Sequence, residues 1–164
     1  MSAGSTPAAL VSLALLAAWV GAALLVAAVV APAAFAVLPT RALAGALVGR
    51  VLPVLFVAGI VFGMVVALLS GGIAAGKGVA IFSGLLAAAS VAALTIAMQI
   101  ARTRASLDRP IDALAVTDPR RIAFGRLHAL SVACMGVGMI AATIAGIVIV
   151  RHLTSRAPIV DAPR

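Results

Sequence analysis

Four long runs of apolar residues dominate the sequence, and polar positions are concentrated in the segments between them. The runs cover residues 8–30, 51–70, 79–101 and 122–150. A helix crosses the hydrocarbon core of a bilayer with about 20 predominantly apolar residues, so each run is long enough to span. The pattern therefore predicts an all-α integral membrane protein: a bundle of four transmembrane helices in a single membrane domain over residues 1–164.

The segments between the runs carry the turn and capping signals. Asp118 followed by Pro119 predicts the N-cap and the first residue of the last helix, because Asp caps well and Pro is tolerated at the first helical position. Gly45 and Gly49 have the spacing of a close helix contact. The predicted links are a short interfacial helix over about 40–49, a tight glycine-rich turn over 71–78, a polar loop over 102–121 and a disordered tail over 152–164.

The first apolar run also has one feature of a secretory signal peptide, since small residues that resemble a cleavage site follow it at Ala31 and Ala33. The run is longer than a signal-peptide core of about 7 to 15 residues. The segment Met1–Pro7 contains no Lys or Arg. We therefore expect a retained helix.

Composition and charge narrow the class of protein. Hydrophobic residues make up 65% of the chain and charged residues 10%, which excludes a soluble enzyme. Twelve Lys and Arg stand against four Asp and Glu, and eight of the twelve fall in or beside the links after the first and third helices. The positive-inside rule then predicts a cytoplasmic loop at 102–121 and both termini outside.

The basic residues also indicate which partners to expect. They do not line one face as in a nucleic-acid-binding protein, so the expected partner is the lipid bilayer and no nucleic acid. Eleven of the twelve are Arg, and Glu is absent. This usage is typical of a GC-rich bacterial genome and favours the bacterial cytoplasmic (inner) membrane.

His128 is the ionisable residue predicted to lie well inside a span, six residues or about 9 Å after Ile122. Such a residue is costly in lipid and by default marks a functional site. On the antiparallel third helix, Thr95 has about the same depth, and Met98 and Gln99 lie one turn nearer the cytoplasm.

A soft metal ion such as copper is one ligand that this layer favours, with His128 and Met98 as its predicted ligands. Thr95, Gln99 and Ser131 would complete the polar layer. The alternative is a histidine that only hydrogen-bonds between helices, with methionines that fill gaps in the packing.

Other positions are weaker candidates. Trp19 lies in the middle of a span, so it is expected to face the bundle or a ligand. Arg121 shares the face of His128 one heptad earlier, where it would hold an anion or be a solvated flank charge, and Met135 continues the same stripe. Small residues at Gly59 and Gly63, and at Gly138 and Gly146, predict close packing within the bundle or, secondly, a homo-oligomer.

Several of these positions together resemble the transmembrane-protein-205-like family, an integral-membrane domain of unknown function (number 4149). The resemblance rests on four segments: Trp19-Val20-Gly21, Ala31-Pro32-Ala33-Ala34-Phe35, Ala44-Gly45 with Gly49-Arg50, and Arg121, Phe124 and Leu127-His128 with Ser131. It implies a four-helix membrane bundle with His128, Trp19 and Pro32 at the site. It also implies a distant similarity to copper-resistance D-type membrane proteins and a link to metal resistance.

The sequence contains no paired carboxylates, Ser/His/Asp set, CxxC pair or phosphate loop, so we expect no enzymatic activity. The leading hypothesis is a multi-pass protein that handles a small ligand or a soft metal ion, of the copper or platinum type, at the His128 layer. Two alternatives stay open: a haem-linked redox protein with His128 as an axial ligand, and a structural or assembly subunit of a membrane complex.

Overall fold

The computed structural model describes residues 5–73 and 76–155, and this part of the chain is helical and contains no strand. Four of its helical segments are long and apolar enough to cross a membrane, which confirms the predicted fold class. In chain order the elements are α1 (Ser5–Leu25), a π-helical turn (Val26–Val30), α2 (Ala31–Val37), α3 (Arg41–Leu69), a 3-10 turn (Ser70–Gly72), α4 (Gly76–Ala105), a second 3-10 turn (Ile111–Ala113) and α5 (Pro119–Thr154).

The helices pack as an up-and-down bundle in which α4 lies between α3 and α5, and α1 packs against α3 and α5. The α2–α3 and α4–α5 links therefore lie at one end, here called the loop end. The start of α1, the α3–α4 link and the end of α5 lie at the other, the tail end. Trp19, Phe56 and Leu86 are almost fully buried in the centre of the bundle.

Glycines allow the helices to approach closely, as the sequence predicts. A side chain at Gly63 would meet the backbone of α4 at Ser83, and one at Gly59 would meet Trp19 and Ser90. Lipid supplies no hydrophobic driving force between helices, so such contacts are a main source of stability. Gly59, Gly63 and Gly138 are buried within the bundle, which agrees with the first expectation for them, and Gly146 is partly exposed; the homo-oligomer stays a prediction.

The π-helical turn at Val26–Val30 has a clear cause in the sequence. Pro32 has no backbone N–H, and next to it the N–H of Ala31 donates to the carbonyl of Val26, five residues earlier. Pro32 is exposed and does not pack into the bundle, so a ligand contact at this residue stays a prediction. It acts on the backbone instead, by shifting the helical register ahead of Phe35.

Several predicted boundaries are wrong, because helices continue further than expected; α4, for instance, begins at Gly76 and ends at Ala105, beyond the predicted limits at 79 and 101. Residues 41–49 are not a separate interfacial helix but the first turns of α3, which begins at the N-cap Thr40 and continues through Pro53. The predicted tail at 152–164 begins too early, because α5 extends to Thr154. Residues 156–164 lie outside the described residues.

The start of α5 is confirmed. Asp118 is the N-cap, its side chain accepts a hydrogen bond from the backbone N–H of Arg120, and Pro119 occupies the first turn. The Arg120 guanidinium also donates to the Asp118 carboxylate, with Nη2 2.9 Å from Oδ2. These hydrogen bonds, first from the Arg120 side chain and then from its backbone, hold the pKa of Asp118 below its ordinary value.

The lowered pKa of Asp118 makes this cap sensitive to pH. We expect Asp118→Ala to lower the melting temperature at pH 7 slightly, whereas Asp118→Asn retains the cap. Because the pKa is depressed in the fold, the stabilisation is complete above the ordinary Asp pKa of about 3.9 and is lost as the pH falls through the lower folded value. The difference in melting temperature between the wild type and Asp118→Ala, measured at a series of pH values, should shrink in acid, because the contribution of the carboxylate charge is lost. A difference that stays constant with pH would contradict the charged cap.

Candidate functional site

His128 lies ten residues from Gly138, on the side of the loop end. Arg126 and Arg151 bound the apolar part of α5, and Gly138 lies midway between them. If the bilayer is centred there, its half-thickness of about 15 Å corresponds to about ten helical residues, which puts His128 at the edge of the hydrocarbon. Its side chain is exposed at the loop end, and it is not packed among the sister helices in the interior of the bundle.

The predicted polar layer does not form around His128. Thr95 does have a comparable depth, because Leu86 lies beside Gly138 where α4 and α5 cross. However, Thr95 is exposed and its hydroxyl donates to the carbonyl of Val91 in its own helix. Gln99 is exposed as well, and of the predicted layer only Ser131 is buried. Thr95 and His128 thus lie at similar depths, but the helices are rotated so that the side chains of the predicted layer diverge.

His128 instead borders a pocket of about 460 Å³ at the loop end, here called the mouth pocket. Its walls combine aromatic and aliphatic side chains with arginines and two aspartates. They come from the end of α2, the start of α3, the end of α4, the α4–α5 loop and the first turns of α5. The lining residues are Phe35, Arg41, Ala42, Arg104, Leu107, Asp108, Arg109, Pro110, Ile111, Asp112, Phe124 and His128.

Arg104 is the innermost charged group of the mouth pocket. Its Nη1 donates to the backbone carbonyl of Gly45 at 2.7 Å, across the interface between α4 and α3. The two glycines opposite make room for it: a Cβ built at Gly45 would lie 2.6 Å from Nη2 of Arg104, and one at Gly49 would lie 3.4 Å from Nη1. The space beside Gly45 and Gly49 is therefore occupied by the Arg104 side chain and not by the backbone of a neighbouring helix.

Arg104 also begins a stack of three groups. Its guanidinium carbon lies 5.0 Å from the centroid of the Phe124 ring, which is within cation–π range. The Phe124 ring is parallel to the His128 ring, with 6.5 Å between their centroids and 2° between their planes. Phe124 and His128 are four residues apart and therefore share one face of α5.

Arg104 makes no ion pair within the described residues, although the charge of Asp112, in the wall of the same pocket, acts on it through space. In the part of the chain that the structure describes, the ion pair is the one between Arg120 and Asp118. Asp108 and Asp112 belong to the pocket wall but are exposed, whereas Arg104 is partly buried. A partly buried cation that hydrogen-bonds only to a neutral carbonyl leaves donors available for an anionic ligand.

Arg121 hydrogen-bonds to the protein itself, whereas the sequence allowed either a bound anion or a solvated charge at this position. Its Nη1 donates to the carbonyl of Leu114 at 2.7 Å, which ties the α4–α5 loop to the first turn of α5. Leu114 itself is buried. This anchor holds the preceding turn, with Ile111 and Asp112, against the mouth pocket.

The remaining predicted residues lie apart from the mouth pocket. Trp19 faces the bundle, as expected, and its indole N–H donates to the carbonyl of Leu55 at 2.9 Å. Met135 is partly buried against the core. Met98, the predicted metal ligand beside His128, is exposed. Residues 5–73 and 76–155 contain no group of three or more His, Cys, Asp or Glu arranged to hold a metal ion, so the metal site stays a prediction without a donor set.

Arg104 was not predicted as a site residue, because the third apolar run ends at Ala101 and the residues after it have the pattern of a polar loop. In the structure α4 continues to Ala105, so Arg104 keeps a helical position and crosses to α3. Arg102 and Arg104 in the last turn favour this extension, because cations stabilise the C-terminal end of a helix. The sequence did contain a signal for this contact: Gly45 and Gly49 leave space beside α3, and Arg104 had no predicted partner.

The chain belongs to a family described as a domain of unknown function (DUF4149), whose family model matches residues 14–108. The match includes Trp19, Gly45 and Arg104 but ends before Phe124 and His128. No curated protein and no solved structure matches the chain. The relationships to transmembrane-protein-205-like and copper-resistance D-type proteins stay predictions.

Proposed function

We propose that this multi-pass membrane protein binds a small ligand that carries a phosphate or carboxylate and an apolar part, and that it does so in the mouth pocket without chemical turnover. Arg104 would bind the anionic group. Phe124, with the His128 ring parallel to it, would contact the apolar part. The proposal keeps His128 at the site, as in the sequence-based hypothesis, but moves the charge recognition to Arg104.

The observation that carries the proposal is the combination of Arg104 and its surroundings. The guanidinium is partly buried, makes no ion pair with a carboxylate of the described residues and lies over Phe124 in a pocket of about 460 Å³. Hydrogen bonds to charged groups contribute about 1.5–3 kcal/mol, more than neutral ones. Asp108 and Asp112 are exposed at the rim and would repel large polyanions. Small anions that reach Arg104 without contacting these aspartates would be favoured.

The distribution of basic residues supports a cytoplasmic position for this pocket. Eight of the twelve Lys and Arg lie in or next to the two links of the loop end. By the positive-inside rule the loop end would face the cytoplasm of a bacterial inner membrane, with both termini outside. The ligand would then enter from the cytosol at the level of the lipid headgroups.

Phenyl phosphate tests the proposal, because it is soluble and combines a phosphate with an aromatic ring. The chain has two histidines, His128 at the loop end and His152 at the tail end, so their ring signals in NMR report on the two ends separately. We expect a saturable shift at His128 with no change at His152. Arg104→Gln should weaken binding about tenfold or more, since it removes a charged hydrogen-bond donor.

Two further variants separate binding from folding. Gly45→Ala adds a Cβ next to the movable end of Arg104, so it should displace the guanidinium and weaken binding with little loss of thermal stability. Arg126→Gln, an exposed arginine on α5 outside the pocket, is the matched charge control and should bind normally. Equal shifts with benzylammonium, or equal binding in Arg104→Gln, would refute an anion site.

Two other measurements distinguish the proposal from the metal and haem hypotheses. A soft-metal site predicts that copper binds to the purified protein and that His128→Ala abolishes this binding. Haem ligation predicts a Soret band on purification. Either result without phenyl phosphate binding would favour the corresponding hypothesis over the one proposed here. The structural-subunit alternative would be preferred if two results were obtained together. No variant would bind any of these ligands, and His128→Gln would preserve both the fold and the phenotype.

A further inference from the structure

A second cavity of about 490 Å³ lies between α1 and α5, toward the tail end. Its walls on α1 include Leu13, Ala17 and Val20, and its walls on α5 include Ala142, Gly146 and Val150. The small side chains at Ala17, Ala142 and Gly146 make the space concave. Thr143 also lines it, but its hydroxyl donates to the carbonyl of Met139 in its own helix, so the cavity is effectively apolar. We call this cavity the α1/α5 groove.

The α1/α5 groove has the length of one leaflet. From Ala142 to Arg151 is nine residues, or about 13 Å along α5, against about 15 Å for half of the hydrocarbon core. With the bilayer centred at Gly138, Ala142 lies near the midplane and Arg151 about 19 Å from it, at the level of the headgroups. The groove therefore runs from the membrane centre to the tail-end surface.

Arg151 supplies a charge at the outer end of this groove. Its side chain is exposed, and the described residues give it no ion pair. Of the four acidic residues of the chain, Asp108, Asp112 and Asp118 lie at the loop end, on the opposite side of the bundle, and Asp161 lies outside the described residues. A phosphate at Arg151 with a hydrocarbon chain along the groove matches both the charge and the apolar walls.

We propose that the α1/α5 groove binds one anionic glycerophospholipid, with an acyl chain between α1 and α5 and its phosphate at Arg151. A second copy of the chain is a poorer occupant. Two copies inserted in the same direction and related by a two-fold axis at the groove would bring two Arg151 side chains to the same level, where like charges repel. This site is independent of the mouth pocket, which lies at the other end.

Native mass spectrometry tests the inference with full-length protein exchanged into equal amounts of phosphatidylglycerol and phosphatidylcholine. We expect one retained lipid per chain, with phosphatidylglycerol preferred about fivefold, because a basic residue near a membrane surface contributes about that factor. Arg151→Gln should reduce the preference to near parity. Gly146→Leu should remove retention of both lipids, because the larger side chain fills the groove; a Cβ at Gly146 itself meets only Leu13 at 3.6 Å.

Matched controls lie elsewhere on the surface. Arg126→Gln removes an exposed arginine at the opposite end of α5, and Gly84→Leu adds a side chain on α4 where a Cβ would meet nothing within 4 Å. Both should retain the lipid and its headgroup preference. Equal effects of Arg126→Gln and Arg151→Gln, unchanged retention in Gly146→Leu, or a dimer that Gly146→Leu dissociates would each overturn the lipid site.

Discussion

Gly63→Ala is expected to lower the free energy of unfolding by about 1–3 kcal/mol, although it adds only one methyl group. The new Cβ would lie 2.6 Å from the backbone oxygen of Ser83 and 2.9 Å from the backbone nitrogen of Ala87. Backbone atoms cannot rotate away as a side chain does, so α3 and α4 must separate along this contact. Titration with SDS from mixed micelles, followed by helical circular dichroism, measures the loss.

The control for this prediction should change in the opposite direction. Gly84→Ala and Gly136→Ala make the same chemical change on α4 and α5, where a Cβ would meet nothing within 4 Å. Alanine is favoured over glycine in a helix by about 1 kcal/mol, so these variants should be as stable as the wild type or more so. Equal losses at all three positions would mean that the close contact of Gly63 does not limit the packing.

Gly63 and Gly45 show why a small-residue spacing cannot be interpreted from the sequence alone. Gly63 follows Gly59 by four residues, and Gly45 precedes Gly49 by four. Nevertheless, Gly63 packs against the backbone of a neighbouring helix, whereas Gly45 contacts the guanidinium of Arg104. The spacing predicts that something approaches the helix. Whether the approaching group is the backbone of a helix or a flexible side chain depends on the neighbouring element, which the spacing does not specify.

The fold was predictable because the bilayer restricts the possible answers. Apolar runs of spanning length must be helices, since every backbone group must be satisfied without water. The cap at Asp118 was also predictable, because it depends on two adjacent residues. Helix ends without such signals were not: the first turns of α3 and the last turn of α4 contain residues that are compatible with both a helix and a loop.

The site was only partly predictable, because it depends on helix rotation. The rise per residue fixes the depth of His128 and Thr95 from the sequence, but their directions depend on how α4 and α5 are rotated about their axes. In a chain that is apolar on all faces of each helix, no amphipathic pattern specifies that rotation. The sequence pattern therefore indicated His128 but assigned no site role to Phe124 or to Arg104, whose partners lie on two other helices.

Trp19→Ala is expected to have the largest effect on stability, a loss of about 3–5 kcal/mol in the free energy of unfolding. Trp19 is the single tryptophan of the chain and is 1% exposed. Its indole N–H donates to the carbonyl of Leu55, and its ring fills the space that Gly59 and Gly138 leave open. Removing it leaves a cavity where α1, α3 and α5 meet, and lipid cannot reach this space to fill it.

Two comparisons separate the parts of this effect, again by SDS titration. Trp19→Phe keeps much of the ring volume but loses the hydrogen bond, which is worth about 0.5–1.5 kcal/mol, so it should fall between the wild type and Trp19→Ala. Leu68→Ala truncates a side chain that is 83% exposed and should cost little. A Trp19→Ala protein as stable as Leu68→Ala would mean that the helices close over the vacated space. The bundle would then be held together by its glycine contacts and not by the indole at its centre.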